Sequence, residues 1–422
     1  MIGLSFAIEF VVLFVLAVYY FRKDKNNFIQ PHAYYTVHIF VKLLLFPVIQ
    51  FFLTSLNRDT SGVVFFNTMI SLSYVSFSIG FFVKKKKGAA ILNRFIKKFN
   101  IAYIPKDTLS LHFSVMVLIA ILLFVYLTEQ SGIGLLSWLL EPRRGFIQHV
   151  SHRGLGHLYM GSTAILNFVF LGILFFKVRK VTHLILATAV FVLIFYFYGN
   201  KRLIVFTIFE GVVYYNFFIN KIKLRWAPVI FGLFVVVFSF VFSLYSPQDV
   251  KASLTERILR YADYYNNARM FFRDFDEKFE YAYGKEYLSG LWCYVPRVVY
   301  PNKPYSYGKV KYVTEKYYPD EVKSAHTPET GGPVEEYLNF GVIGVILISS
   351  VRGYFTSLFY RYFLKYRDFV GFVLLSNAMG FSIFLIVPGY KILWYVINLL
   401  LLLLHKQILA YKVQGVQGCL PG

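Results

Sequence analysis

Two cysteines in 422 residues leave little scope for covalent staples. Cys293 falls in a long polar stretch and Cys419 in the C-terminal tail, on opposite sides of the topology derived below, so they cannot pair. Neither a CxxC pair nor a His/Cys spacing suited to zinc occurs, which argues against a disulfide framework and a structural metal site. Charge is scarce as well. Only 16% of residues are Asp, Glu, Lys or Arg, against about 25% in a typical soluble domain. Acids are the rarer sign, 22 against 44 Lys and Arg. The first twenty-one residues lack any basic residue and include Glu9. That is the wrong charge order for a cleaved signal peptide, and it predicts a retained helix with its N-terminus outside. There is no internal repeat, and the tail VQGVQGCLPG carries no recognisable signal.

What the chain has instead is apolar length. It is 57% hydrophobic and 20% aromatic. A helix crossing a bilayer core of about 30 Å needs roughly 20 mostly apolar residues. Eleven runs meet or approach that length: 2–21, 33–56, 62–83, 109–128, 157–176, 182–198, 203–219, 227–246, 334–356, 369–387 and 392–410. The expected fold is therefore an all-α polytopic membrane protein with about eleven transmembrane helices. Residues 1–246 form a bundle of eight spans, 247–334 a large loop, 335–412 three further spans and 413–422 a tail. The net charge of +22 invites a nucleic-acid reading, but the cations lie in short clusters between spans rather than on one contiguous basic face. Clusters such as Arg22 to Lys25, Lys84 to Lys87, Lys177 to Lys180, Lys221 to Arg225 and Arg361 to Arg367 alternate with loops poor in cations. The positive-inside rule then places the N-terminus outside and the C-terminus inside.

The loop 247–334 holds 88 residues, with 13 Lys and Arg and 12 Asp and Glu. A long, near-neutral segment escapes the charge rule and can be translocated. Its aromatics argue against disorder, so it is expected to be a folded extracytoplasmic cap, with 254–272 an amphipathic helix.

Four constellations carry chemistry. Gly199-Asn200-Lys201-Arg202 joins two spans with almost no loop. Its cations either snorkel to headgroups or bind an anion at the membrane surface, Arg in bidentate fashion and Lys as a point charge. Glu141-Pro142-Arg143-Arg144 forms a second basic outer turn, read either as a solvated surface or as a contact for a pyrophosphate or anionic lipid. Pro296-Arg297-Val298-Val299-Tyr300-Pro301-Asn302-Lys303-Pro304 holds three prolines in nine residues, so Arg297 and Lys303 sit on a stiff path. His326-Thr327-Pro328-Glu329-Thr330-Gly331-Gly332-Pro333 leads into Val334-Glu335-Glu336-Tyr337-Leu338-Asn339-Phe340-Gly341. There the helix dipole accounts for one acid in the first turn. Two acids, with Asn339 one turn on, place several polar groups at the membrane boundary, and His326 and Glu329 are additional proton-transfer candidates. Gly341 and Gly344 are spaced for close packing between helices. Glu9, Lys42, Glu210 and Arg352 lie inside spans, where ionisable residues are either internally paired or functional.

The stretches PRVVYPNKP and TPETGGPVEEYLNFGVIG, the second running into a span, resemble the Wzy-type O-antigen polymerase family, the oligosaccharide repeat unit polymerases. Pro296, Arg297, Pro301, Lys303 and Pro304 match its first motif. Thr327, Pro328, Glu336, Tyr337, Asn339, Phe340, Gly341 and Gly344 match the second, and the Gly-Asn-Lys-Arg turn is similar to its basic turn between central helices. The likeness covers about residues 195–345, and it favours Glu336 over Glu335. It implies a GT-C-like membrane glycosyltransferase of the bacterial inner membrane, acting in lipopolysaccharide biosynthesis. Such an enzyme moves a growing glycan from undecaprenyl diphosphate onto the non-reducing end of an incoming lipid-linked repeat unit. Its partners are donor and acceptor lipid-linked oligosaccharides, membrane lipids and a chain-length regulator. On this reading Lys201, Arg202, Arg297, Lys303, Arg143 and Arg144 hold the diphosphate. Glu336, His326 and Glu335 are the catalytic acids and bases, and Tyr337 and Asn339 assist binding. No cofactor is expected, and the chemistry is expected to be metal-independent. The nearest approach to a DxD cluster, Asp274-Phe275-Asp276, reads as a surface pair on an amphipathic helix. An O-antigen ligase shares the architecture and remains an alternative, as does a flippase or transporter of lipid-linked glycans.

Overall fold

A computed structural model of the chain describes residues 1–23, 29–53, 60–83, 86–97, 106–151, 155–223, 263–289, 299–302, 308–320 and 330–379, with a few isolated positions besides. In chain order its helices are α1 (Ile2–Lys23), α2 (Pro31–Phe52), α3 (Val63–Phe82), α4 (Lys86–Lys97), α5 (Lys106–Gln130), α6 (Leu135–Leu140), α7 (Pro142–Ser151), α8 (Gly156–Lys177), α9 (Val181–Phe197), α10 (Lys201–Ile219), α11 (Asp263–Arg273), α12 (Phe275–Lys278), α13 (Lys285–Ser289), α14 (Gly308–Tyr317), α15 (Val334–Tyr366) and α16 (Phe369–Met379). No strand occurs among the described residues. The physical reason is the solvent: in hydrocarbon every backbone N–H and C=O must find its partner within the segment.

Seven of these helices are long and apolar enough to cross a membrane: α1, α2, α3, α5, α8, α10 and α15. Helices α9 and α16 are shorter but equally apolar. Nine of the expected spans thus have a helix. The other two, 227–246 and 392–410, lie almost wholly outside the described residues. The chain is an all-helical, membrane-embedded polytopic protein.

By contacts the chain groups into two compact units. The first comprises Met1–Lys84, Lys221–Tyr360 and Ile383–Val387. Its central crossing joins α3 and α15 with almost no side chain between them. A Cβ at Gly80 would lie 1.9 Å from the Ser350 carbonyl oxygen, and one at Gly353 would lie 1.9 Å from the Phe77 carbonyl oxygen. Small residues let backbones approach in this way within membranes. The same crossing carries a hydrogen bond between the Ser73 and Ser349 hydroxyls at 2.9 Å.

The described part of the long loop shares this unit's core. Helix α11 places Tyr265, Ala268, Phe271 and Phe272 on one buried face, the three-to-four spacing of an amphipathic helix. Phe272 stacks on Phe66 of α3 and meets Tyr337 of α15 edge-on. Phe275 also packs on Tyr337. Burying a side chain of this size contributes about 1.5–3 kcal/mol, so the aromatics noted in the sequence fix the loop to the spans.

The second unit comprises Lys85–Asn220, Arg361–Ser382 and Pro388–Gly422. Helices α5 and α8 pack along their lengths. Gly172 makes the closest approach: a Cβ there would lie 2.2 Å from the tip of the Phe113 ring. Glu210 of α10 is buried in this unit. It receives the Asn167 amide at 2.6 Å and the Ser376 hydroxyl at 2.5 Å. Its place inside a span is therefore met by internal hydrogen bonding from two other helices.

Candidate functional site

The polar run at the start of α15 is organised around a break in that helix. Phe340 (φ −142°, ψ 19°) and Gly341 (φ 61°, ψ −149°) leave helical geometry. The Gly341 conformation is one that only glycine adopts without strain. Just beyond the break, a Cβ at Gly344 would lie 2.3 Å from the Glu336 carbonyl oxygen. Both glycines therefore serve a turn within α15. The contact between helices expected of them belongs to Gly80 and Gly353, because the break consumes the free surface that such a contact needs.

A broken helix leaves carbonyls without partners, and here the long loop supplies them. The Ala282 N–H donates to the Leu338 carbonyl at 2.8 Å and the Tyr283 N–H to the Asn339 carbonyl at 3.0 Å. The Gly284 N–H donates to the Asn339 side-chain oxygen at 2.9 Å. The Asn339 amide in turn donates to Glu286 and to the Glu335 carbonyl, each at 2.8 Å. Asn339 is fully buried and acts as the joint between loop and helix.

The buried Glu336 is paired with Arg352, a half-buried residue about three turns past the break in the same helix. The hydroxyl of Tyr35, from α2, reaches both Arg352 and Ser73. Breaking a buried ion pair by removing one partner costs about 3–5 kcal/mol, since the other charge is left uncompensated. The pair also explains Arg352, a cation in the middle of an apolar span. Glu335 differs from its neighbour: it is half-buried and reaches the surface. Tyr287, on α13, is buried against the same acids. Burial holds its hydroxyl well above the usual phenol range, and the nearby charges of Glu336, Glu335 and Glu286 act in the same direction. That hydroxyl is a neutral donor, and it has no hydrogen-bond partner among the described residues.

Beside these acids, three aromatic rings face outward. Tyr281 and Tyr283 are exposed, Tyr283 by 73%, and so is Phe340 at the break. Tyr281 and Tyr283 stand edge to face at 6.1 Å. Tyr337 is different: it is buried among Phe65, Phe272 and Phe275.

The second unit gathers basic residues at another place. Gly199 takes φ +69° and its backbone abuts the start of α7, where a Cβ would lie 2.1 Å from the Pro142 carbonyl oxygen. The Asn200 side chain caps α10 by accepting the Arg202 N–H at 3.0 Å. Lys201 and Arg202 thus lie in the first turn of α10, and Arg143 and Arg144 in the first turn of α7, with the two helix starts in contact. Trp138 anchors this corner through its indole N–H to the Phe197 carbonyl at 2.9 Å, and Tyr159 bonds the Tyr198 carbonyl at 3.2 Å. Cations at helix N-termini oppose the dipole, and the arrangement suits an anion. Arg143 also lies over the Phe146 ring at 5.1 Å. Arg144 pairs with Glu141 at 3.1 Å in an exposed bridge, which contributes little by itself.

The structure thus brings Glu335, Glu336, Tyr337 and Asn339 into one cluster, and Lys201, Arg202, Arg143 and Arg144 into another. His326, Arg297 and Lys303 lie outside the described residues. One expectation is corrected. Asp274 is not a surface residue but is buried between α11 and α12. It is bound by Arg273, by Lys278 at 2.8 Å and by the Tyr317 hydroxyl at 3.1 Å, and the Arg273 hydrogen bond above all holds its carboxyl well below the usual range. Glu286, Tyr287 and Arg352 were not singled out as site residues by motif. The signal for Arg352 was present, since a cation inside a span demands a nearby acid. Glu286 and Tyr287 join only through the fold of the loop. Comparison with known proteins adds no family: no family model, no curated protein and no solved structure matches the chain.

Proposed function

We propose that this protein is a membrane glycosyltransferase that polymerises lipid-linked oligosaccharide repeat units. The growing glycan passes from undecaprenyl diphosphate to the non-reducing end of an incoming lipid-linked unit at the outer face of a bacterial inner membrane. The observation that carries the reading is the fate of the run Glu336-Tyr337-Leu338-Asn339-Phe340-Gly341. Those residues of the polymerase-like motif build a broken helix, stitched to the long loop through Asn339. A plain transmembrane span has no use for such a device.

The chemistry follows from residue types. A glycosyl diphosphate carries its own leaving group, so an enzyme must neutralise the departing diphosphate and activate an acceptor hydroxyl. The basic corner at Gly199 and Pro142 supplies cations suited to phosphate. The acids of α15 supply hydrogen-bond acceptors and a base. Preorganised charge of this kind usually supplies the largest share of such catalysis.

The testing experiment is analysis of surface polysaccharide from a strain deleted for the protein. A single repeat unit on core is the expected result. Bare core points to a ligase or flippase instead and sinks the polymerase reading.

A further inference from the structure

Resting on the polymerase reading, the geometry points to a saccharide subsite at the break in α15. In this subsite the aromatic ledge of Tyr281, Tyr283 and Phe340 and the Tyr287 hydroxyl hold the acceptor sugar, and Glu335, rather than Glu336, takes the proton of its attacking hydroxyl.

Charge selects the ligand class. Among the described residues, Glu286, Glu335 and Glu336 lie around Tyr287 with Arg352 as the cation that acts on the same group. Such a surplus of carboxylates repels a diphosphate and suits a neutral ligand rich in hydroxyl donors. Aromatic rings beside polar acceptors complete the match. The apolar C–H face of a sugar ring lies on an aromatic face while its hydroxyls bond at the edge. Tyr281, Tyr283 and Phe340 present such faces to the surface. Tyr287 is an independent sign of a missing ligand group, because its buried hydroxyl has no hydrogen-bond partner among the described residues. Buried polar atoms left in that state call for an explanation.

Accessibility selects the base. Glu336 is 1% exposed and committed to Arg352, so protonating it would break that ion pair. Glu286 is fully buried and receives the Asn339 amide. Glu335 is the one of the three that reaches the surface. In the reaction the acceptor O–H proton moves to a Glu335 carboxylate oxygen. The hydroxyl oxygen forms the bond to the donor's anomeric carbon, the bond from that carbon to the diphosphate oxygen breaks, and its electron pair leaves with the lipid diphosphate. Glu335 then returns its proton to water. Glu336 is a positioning residue, acting through Arg352.

The test uses the full chain in detergent or nanodiscs. Single repeat-unit lipid extracted from the deletion strain serves as the varied acceptor, with a fixed pre-extended donor. Glu335→Gln is expected to lower kcat by about a hundredfold or more, the range of general-base catalysis, with the acceptor KM near wild type. Tyr283→Ala and Tyr287→Phe are expected to raise the acceptor KM about three- to tenfold, the loss of one net contact each, leaving kcat and the donor KM unchanged. Tyr283 is exposed, so its substitution does not threaten the fold. If the wild type elongates and Glu335→Gln does so at the wild-type kcat, or if the tyrosine variants leave the acceptor KM unmoved, the subsite is overturned while the polymerase reading stands. A subsite role for Tyr283 is equally overturned if its loss only weakens retention in the membrane, the outcome for an interfacial anchor. A wild type that elongates nothing overturns the functional reading itself.

Discussion

The Glu336 carboxylate and the Arg352 guanidinium form an ion pair within one helix, although they are sixteen residues apart and a break at Phe340 and Gly341 lies between them. The pair sets the acid of the first turn against the long, regular part of α15. Removing Arg352 leaves the Glu336 carboxylate buried without its cation, and removing Glu336 leaves a half-buried guanidinium without its acid. Glu336→Gln and Arg352→Met are each expected to destabilise the protein by about 3–5 kcal/mol, and the double variant by less than the sum of the two. Unfolding of the purified protein in detergent, run as a double-mutant cycle, reads this directly. Additive losses would show that the pair does not couple.

The two kinds of glycine in the first unit separate by what they touch. Gly341→Ala forces a side chain into φ +61° and within 3.1 Å of the Tyr281 hydroxyl, and is expected to cost about 1–3 kcal/mol from backbone strain. Gly353→Ala meets the Phe77 carbonyl oxygen at 1.9 Å, and backbone cannot move aside as a flexible side chain can. Its expected effect is larger and lies in the α3–α15 crossing. Disulfide trapping between cysteines placed at Ser73 and Ser349 checks this: the yield should fall in Gly353→Ala and hold in Gly341→Ala.

Asp274 makes the stability of the described loop depend on acid. Its carboxyl is held below the range of an unfolded aspartate, chiefly by the Arg273 hydrogen bond and further by Lys278 and Tyr317. A depressed folded value means stability that is fully present above about pH 5, past the unfolded pKa of about 4, and is lost as pH falls through the folded value. Asp274→Asn should therefore unfold at a lower temperature than the wild type at pH 7. The gap between them should narrow below about pH 4. A gap constant with pH would contradict the assignment. The same pairing commits Asp274 to cations, so the Asp274-Phe275-Asp276 run is poorly placed to ligate a metal. Elongation by the purified protein should accordingly persist in excess chelator. Loss in chelator with recovery on adding a divalent cation would overturn the metal-independent reading.

The basic corner makes a prediction of its own. Arg202→Ala and Arg143→Ala are expected to shorten the surface glycan chains, seen as a collapse of the ladder on a polysaccharide gel, and the double variant to shorten them further. Arg144→Ala should matter less, since Arg144 already pairs with Glu141 at the surface. Normal ladders in all three would remove the corner from the proposed chemistry.

The sequence by itself determined the membrane character and the helical class. Apolar runs of about twenty residues admit no other economical solution in lipid, and nine of the expected runs have a helix in the structure. It also marked Glu335, Glu336 and Asn339 as a polar group at the head of a span, and the Gly199 and Pro142 turns as basic. Only the tertiary structure decided what those groups touch. The contact between the Gly199 and Pro142 turns joins residues far apart in the chain. Glu286 and Tyr287 enter the acid cluster because residues 282–284 cap a broken helix some fifty positions away. The roles of Gly341 and Gly353 depend on a φ angle and on a backbone crossing that spacing cannot distinguish. Periodicity reports which face of a helix avoids water. It cannot report which distant backbone or carboxylate will lie against that face, because that is set by long-range packing of the whole unit.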